Sequence, residues 1–307
     1  WVGEPSQHEL TKEIRYHSDR NDQDGNYVEQ ERTPGELGND SIIERQRTNY
    51  ERFNYGVTGQ IDYVRPIGEM GRLEGGYKGE LRTIENGVFS ETFNDVSGAF
   101  APDVDINNDI VYDENIQAGY LLYNHTFGKL DAQIGLRGEV VQTDFELTTT
   151  NETFDNDYTS LYPSGALSYA ITERTRARLS ASRRVQRPGV WRLNPFVQYD
   201  DRLNVRRGNP ELRPEFTTSV ELGINHFADW GTLSLSPYWR HTTDLIERWL
   251  TVDSQGVSTV SWENFNESDT YGAEIVGTFR AGDRLRGFVN LSLYQFDFDG
   301  SNIEDNL

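Results

Sequence analysis

From Leu130 to Val140 the chain alternates: Leu130, Ala132, Ile134, Leu136 and Val140 share one parity, while Asp131, Gln133, Arg137 and Glu139 share the other. Successive side chains of a β-strand point to opposite faces, so this segment is a strand with one apolar and one charged face. The pattern returns at 216–225, where Val220, Leu222 and Ile224 oppose Ser219, Glu221 and Asn225. It returns again at 285–294, where Leu285, Val289, Leu291 and Leu293 oppose Arg286, Asn290, Ser292 and Tyr294. At 73–81, Leu73, Tyr77 and Leu81 oppose Glu74, Lys78 and Glu80. Eleven such segments are predicted, near 9–17, 50–65, 72–84, 112–127, 130–147, 159–171, 175–186, 215–228, 232–250, 261–280 and 285–298.

The connections between them come in two lengths. Short ones fall at 67–71, 128–129, 172–174, 228–231 and 281–283, and long ones near 18–49, 85–111, 148–158, 187–214 and 251–260. Alternation of short and long places all the long loops at one end of an antiparallel sheet, as in an outer-membrane barrel with tight periplasmic turns and extended outer loops. A mean hydropathy of -0.71 is compatible with this, because such a wall shows lipid only every second residue. Tyr63, Tyr169, Trp239, Tyr271 and Phe279 sit near segment ends on the apolar parity, where an amphipathic ring bridges lipid and water.

The chain has no cysteine, which excludes disulfides and thiolate metal sites. A net charge of -21 argues against nucleic acid as a partner. Nucleophile-elbow, phosphate-loop and zinc-protease motifs are absent, so no enzyme is expected. One acidic stretch has the spacing of a calcium loop: Asp103, Asp105, Asn107, Asp109 and Glu114 stand at positions 1, 3, 5, 7 and 12. Its sixth position is Asn108 rather than glycine, and a solvated acidic loop is the alternative.

Residues 187–214 are basic in an acidic chain. Arg187, Arg192, Arg202, Arg206, Arg207 and Arg213 are interleaved with Trp191, Phe196 and Tyr199. Guanidinium forks beside aromatic faces suit anionic or ring-bearing ligands, which makes Arg187, Trp191, Arg192, Phe196, Tyr199, Arg206 and Arg207 the candidate ligand surface. Arg176, Arg178 and Arg184 add positive charge on the polar parity of the preceding strand. The alternative is structural, with these arginines pairing with Asp200, Asp201, Glu211 and Glu215 or contacting a plug.

The same block carries an ordered motif: Arg187-Pro188, then Leu193-Asn194-Pro195-Phe196, then Gly208-Asn209-Pro210, Leu212, Pro214 and Glu215. This series resembles a segment late in the barrels of TonB-dependent outer-membrane receptors of the outer-membrane β-barrel family. The resemblance implies a barrel of 22 strands around a plug, in the outer membrane of a Gram-negative bacterium. Residues 1–307 are then one β-barrel domain lacking signal peptide, plug and final strands. The fold class is all-β, an antiparallel transmembrane barrel portion of about eleven strands, half of the full wall. Implied partners are outer-membrane lipid, the TonB complex through the plug, and a scarce solute such as a metal chelate or an oligosaccharide. A soluble or surface-attached β-sheet module that binds glycans is the alternative function.

Overall fold

The computed structural model describes residues 8–32, 40–104, 106–201, 203–282 and 285–304. In chain order the strands are β1 (Glu9–Arg32), β2 (Asp40–Ile67), β3 (Gly71–Asn94), β4 (Ala99–Pro102), β5 (Asn108–Phe127), β6 (Leu130–Leu147), β7 (Glu152–Asp155), β8 (Tyr158–Thr172) and β9 (Thr175–Gln186). After the one-turn helix α1 (Val190–Leu193) come β10 (Gln198–Asp201), β11 (Asn204–Arg206), β12 (Glu215–Ala228), β13 (Gly231–Val252), β14 (Ser258–Ala281), β15 (Leu285–Asp299) and the short helix α2 (Ser301–Glu304). All strands join one sheet ordered β1-β2-β3-β5-β6-β8-β9-β12-β13-β14, with β15 on the far side of β14. Every wall pairing is antiparallel between sequence neighbours, and the short β4 and β7 fold back onto β3 and β6. The described sheet does not close, since β1 pairs only with β2 and β15 only with β14.

Each of the eleven alternating segments is a wall strand. The short connections are tight hairpins; in one, Phe127 lies opposite Leu130 and Gly128 turns the chain with φ +63. That left-handed conformation costs glycine nothing and most other residues about 1 kcal/mol or more.

The long connections differ from expectation, because most of their residues extend the strands. β1 runs to Arg32 and β2 begins at Asp40, so residues 18–32 and 40–49 are paired strand. β3 continues to Asn94, and β13 and β14 run to Val252 and from Ser258. Only about 9–11 residues are needed to cross the hydrocarbon layer, so these strands stand well above it. The outward face there meets water, so the outward apolar parity that marks a strand in the sequence disappears while the hydrogen-bond ladder continues.

The outward face carries the lipid band. Tyr77, Leu121, Leu136 and Leu161 project from it, as do Leu179, Leu222, Leu235 and Leu291 further along the sheet, all exposed. The register makes this a continuous surface: Leu179 lies opposite Leu222, and Ile275 is flanked by Leu235 and Leu291. Tyr271 and Phe279 share this face on β14, eight positions apart, or about 26 Å along the strand at ~3.3 Å per residue. At a strand tilt of about 35–45° this spans about 20 Å of height, so the two rings stand near the edges of the apolar band, and Trp239 lies opposite Tyr271 at the upper one.

Polarity inverts above the band. On β6 the outward residues change from Leu136 and Val140 to Gln142, Asp144 and Glu146, all exposed. The inward residues change from Arg137 and Glu139 to Val141, Phe145 and Leu147, each at most 2% exposed. The outer half of the wall is therefore hydrophobic inside, as in a soluble protein, and the membrane half is polar inside.

Candidate functional site: the inward-folded loop

That inner apolar surface is covered by residues 187–214. Val190, Leu193 and Leu212 of the loop form one buried cluster with Ile84 of β3, Ile110 and Tyr112 of β5, Phe145 and Leu147 of β6, Ile246 of β13 and Trp262 of β14. Phe154 and Phe196 pack against its edge. The loop thus folds into the bore and braces strands from β3 to β14, instead of reaching into solvent.

The motif residues build this brace through hydrogen bonds and packing contacts. Gly208 N–H donates to the Asn194 carbonyl at 2.6 Å, and Asn209 N–H donates to that of Arg192 at 2.7 Å, so the two halves of the motif are bonded to each other. A Cβ on Gly208 would overlap the Arg192 and Asn194 carbonyls. Buried Asn194 donates through Nδ2 to Asn108 Oδ1 on β5 at 3.1 Å and accepts from Phe196 N–H at 3.0 Å. Asn209 donates to Glu263 Oε2 at 2.9 Å and to the Trp262 carbonyl at 3.2 Å, both on β14. The Leu212 carbonyl accepts from Asn156 Nδ2 at 3.0 Å. Pro188, Pro210 and Pro214 border a cavity of about 20 Å³ between loop and wall, with Tyr112, Tyr158 and Arg187. Prolines suit this path because fixed φ and a missing donor leave fewer backbone N–H groups to satisfy in a buried connection. At the end, Glu215 accepts the Ile246 N–H at 2.7 Å. Burial raises the Glu215 carboxyl above its ordinary range, against that hydrogen bond and the charge of Arg192. Burial likewise raises Glu263, against the Asn209 hydrogen bond.

The candidate ligand residues divide. Arg187 turns to the wall: its Nη2 lies 2.5 Å from Glu139 Oε2, and Arg137 Nε holds the other carboxylate oxygen at 2.6 Å. Its guanidinium also faces the Tyr158 ring, and burial pushes the Tyr158 hydroxyl up to about 12. Phe196 packs on the core. Trp191 is 53% exposed, meets Trp262 edge to face at 4.8 Å, and carries the Arg192 guanidinium at 5.1 Å. Arg206 and Arg207 are exposed. Tyr199 pairs with Val205 in the β10–β11 ladder, and its side chain lies outside the described residues, as do those of Asp200 and Asp201 and all of Arg202. Two of the loop's arginines pair with carboxylates of distant strands: Glu139 holds Arg187, and Asp244 holds Arg213 at 2.7 Å. Neither could be chosen from sequence, because partnership across a sheet depends on register.

The calcium-spaced residues are not brought together. Asp105 lies outside the described residues. Asn108–Phe127 is strand rather than turn, which carries Glu114 about 20 Å along β5 from Asn108 at ~3.3 Å per residue. Glu114 faces inward, 5% exposed and 2.8 Å from Arg82, whereas exposed Asp109 faces out. Asp103 accepts from the Thr92 hydroxyl and Asn107 from Ser90 N–H, both on β3. Among the described residues no group of three or more His, Asp or Glu is placed to hold a metal.

Residues 4–307 match the outer membrane protein beta-barrel family. No curated protein matches the sequence. Among solved structures, the chain resembles the copper transporter OprC with a TM-score of 0.70 at 10% identity, over 94% of this chain and 44% of OprC. It resembles the ferric citrate transporter FecA with a TM-score of 0.58 at 11% identity, over 95% and 42% of the two chains. The ferripyoverdine receptor of the outer membrane of Pseudomonas aeruginosa gives 0.59 at 12% identity, over 94% and 39%. The chain thus spans less than half the length of each, and the likeness is one of fold. With a lipid band outside, a polar bore inside and a family match along nearly its whole length, this chain belongs to the outer membrane protein β-barrel family and is a stretch of wall in the outer membrane of a Gram-negative bacterium.

Proposed function

We propose that this chain supplies about half the wall of a TonB-dependent uptake receptor, in which a scarce solute is captured from outside and passed through the bore. The observation that carries this reading is the pairing of a lipid-facing outer surface with a motif loop folded into the lumen, in a sheet whose edges β1 and β15 are both open. Unpaired edges inside hydrocarbon cost several kcal/mol per lost hydrogen bond, so strands outside this chain complete the barrel. About eleven more would bring it to the 22 of plugged receptors. The plug and the TonB contact belong to that same additional sequence. Metal chelates are favoured as solutes by the copper, ferric citrate and ferripyoverdine proteins that share the fold. Oligosaccharides fit the same scheme.

In this reading residues 187–214 serve first as a strut that fixes the width of the outer bore. Trp191, Arg192 and Arg207, which reach the exposed side of the strut, are the residues offered to a solute. The test is a deletion of the full gene, followed by growth on single iron, copper and glycan sources. Loss of growth on one source, restored by the intact gene, supports uptake; unchanged growth on every source contradicts it.

A further inference from the structure

The inward cations of this wall fall into two groups. On β3 and β6 each described inward one has a carboxylate: Arg72 with Glu74, Lys78 with Glu80, Arg82 with Glu114 of β5, and Arg137 with Glu139. On β9 and β13, Arg176, Arg178, Arg184 and Arg240 share the inward parity and have no ion-pair partner among the described residues. Arg280 of β14 and Arg286 of β15 continue this inward set without an ion-pair partner among the described residues, and in a chain with 50 Asp and Glu against 29 Lys and Arg the unpaired guanidiniums are not a consequence of carboxylate scarcity.

Two of these arginines close on one cavity of about 370 Å³, lined by Arg184 and Arg240 with the hydroxyls of Ser182, Thr217, Ser219 and Tyr238. The register explains the convergence. Ser182 lies opposite Ser219 and Ser219 opposite Arg240, while Arg184 lies opposite Thr217 one inward position higher. The backbone positions of the two arginines therefore lie two strands and one inward step apart, about 12 Å at ~4.8 Å per strand and ~3.3 Å per residue, with hydroxyl donors between them. Arg240 is held over the Tyr238 ring at 4.3 Å, which restricts its rotamers. Glu221 also borders the cavity and leaves the set of charged groups at net +1. A concave, cationic, donor-rich wall of this size focuses positive potential and matches small-molecule sites, typically about 300–1,000 Å³.

We propose that Arg184 and Arg240 form a solute subsite for an elongated molecule carrying an anionic group at each end, carboxylate or phosphate, with the serine and threonine hydroxyls between them. This rests on the uptake reading above and deepens it by naming a solute class. A small solute is favoured over an acidic plug segment because hydroxyl donors are spaced between the two charges on one concave patch of the wall.

The test is isothermal titration of the full-length receptor in detergent. Only preparations that show heat-modifiable migration are used, so that a barrel that has not formed is not mistaken for an empty subsite. The probes are suberate, long enough to bridge both guanidiniums, succinate, which is too short, and uncharged 1,8-octanediol. Suberate is expected to bind about tenfold or more tightly than succinate, with octanediol silent, since each charge-assisted pair adds affinity. Arg184→Ala and Arg240→Ala should each weaken suberate about tenfold, Arg184→Lys less, and Arg286→Ala not at all. Equal binding of suberate and octanediol, or suberate binding indifferent to both alanine variants, overturns the proposal. So does the absence of binding in a heat-modifiable receptor whose stability falls in those variants, which would assign the arginines to the plug.

Discussion

Arg187, the first residue of the loop motif, places its guanidinium 2.5 Å from the carboxylate of Glu139, which lies inside β6 and is 6% exposed. Arg137 holds the other oxygen of the same carboxylate. Removing Arg187 leaves Glu139 with Arg137 as its one cation, so the cost falls below the ~3–5 kcal/mol of a buried charge left with no partner. Arg187→Ala is therefore expected to lower the unfolding midpoint of the full receptor and to expose 187–214 to protease. Arg187→Ala with Glu139→Ala should cost less than the two changes summed. Additive losses in denaturant titrations would show that the pair does not hold the loop.

Gly208 and Leu212 test the strut independently of charge. A methyl group at 208 meets the Arg192 and Asn194 carbonyls, an overpacking that costs about 1–3 kcal/mol. Leu212 is 1% exposed, and its truncation to alanine should cost about 2–5 kcal/mol. Both variants should release the loop to limited proteolysis while the barrel still inserts. Wild-type resistance in both would mean that the motif does not brace the wall.

Glu215 makes the brace depend on pH. Its folded pKa is raised, so the ionised form is the one penalised in the fold. Such a group favours folding below its unfolded pKa, about 4.3 for glutamate, and that contribution is lost as pH rises through the folded value. Glu215→Gln, which keeps an acceptor for Ile246 N–H, should match the native protein at low pH and exceed it in stability at neutral pH. Denaturation at both pH values decides this; a neutral-pH loss in the glutamine variant would show that the charge itself is stabilising.

Strand positions and turns were legible from alternation, because in the lipid band one face of every strand must be apolar and each hairpin must reverse tightly. Strand ends were not, since above the band Asp19, Asp22 and Asp24 alternate with nothing apolar although their ladder to β2 continues. The loop's basic and aromatic composition suggested a ligand surface, and its prolines and asparagines gave the family. What the sequence could not reveal was that Asn108, Glu139, Asn156 and Glu263, on separate elements, complete the loop's hydrogen bonds. One clue was available: Glu139 is a carboxylate on the inward parity of a strand, two residues from Arg137, and an inward acid there calls for cationic partners.

One face of this sheet meets lipid and the other a polar bore. Leu291 and Ser292 are neighbours on β15 at the same depth, pointing outward and inward. Leu291→Arg and Ser292→Arg in the full-length receptor therefore introduce the same side chain at one height on opposite faces. Folded, heat-modifiable protein in the outer-membrane fraction should fall sharply for Leu291→Arg, by about 2–4 kcal/mol in folding equilibrium near mid-membrane, and remain near the native level for Ser292→Arg. Equal assembly of the two variants would contradict the account.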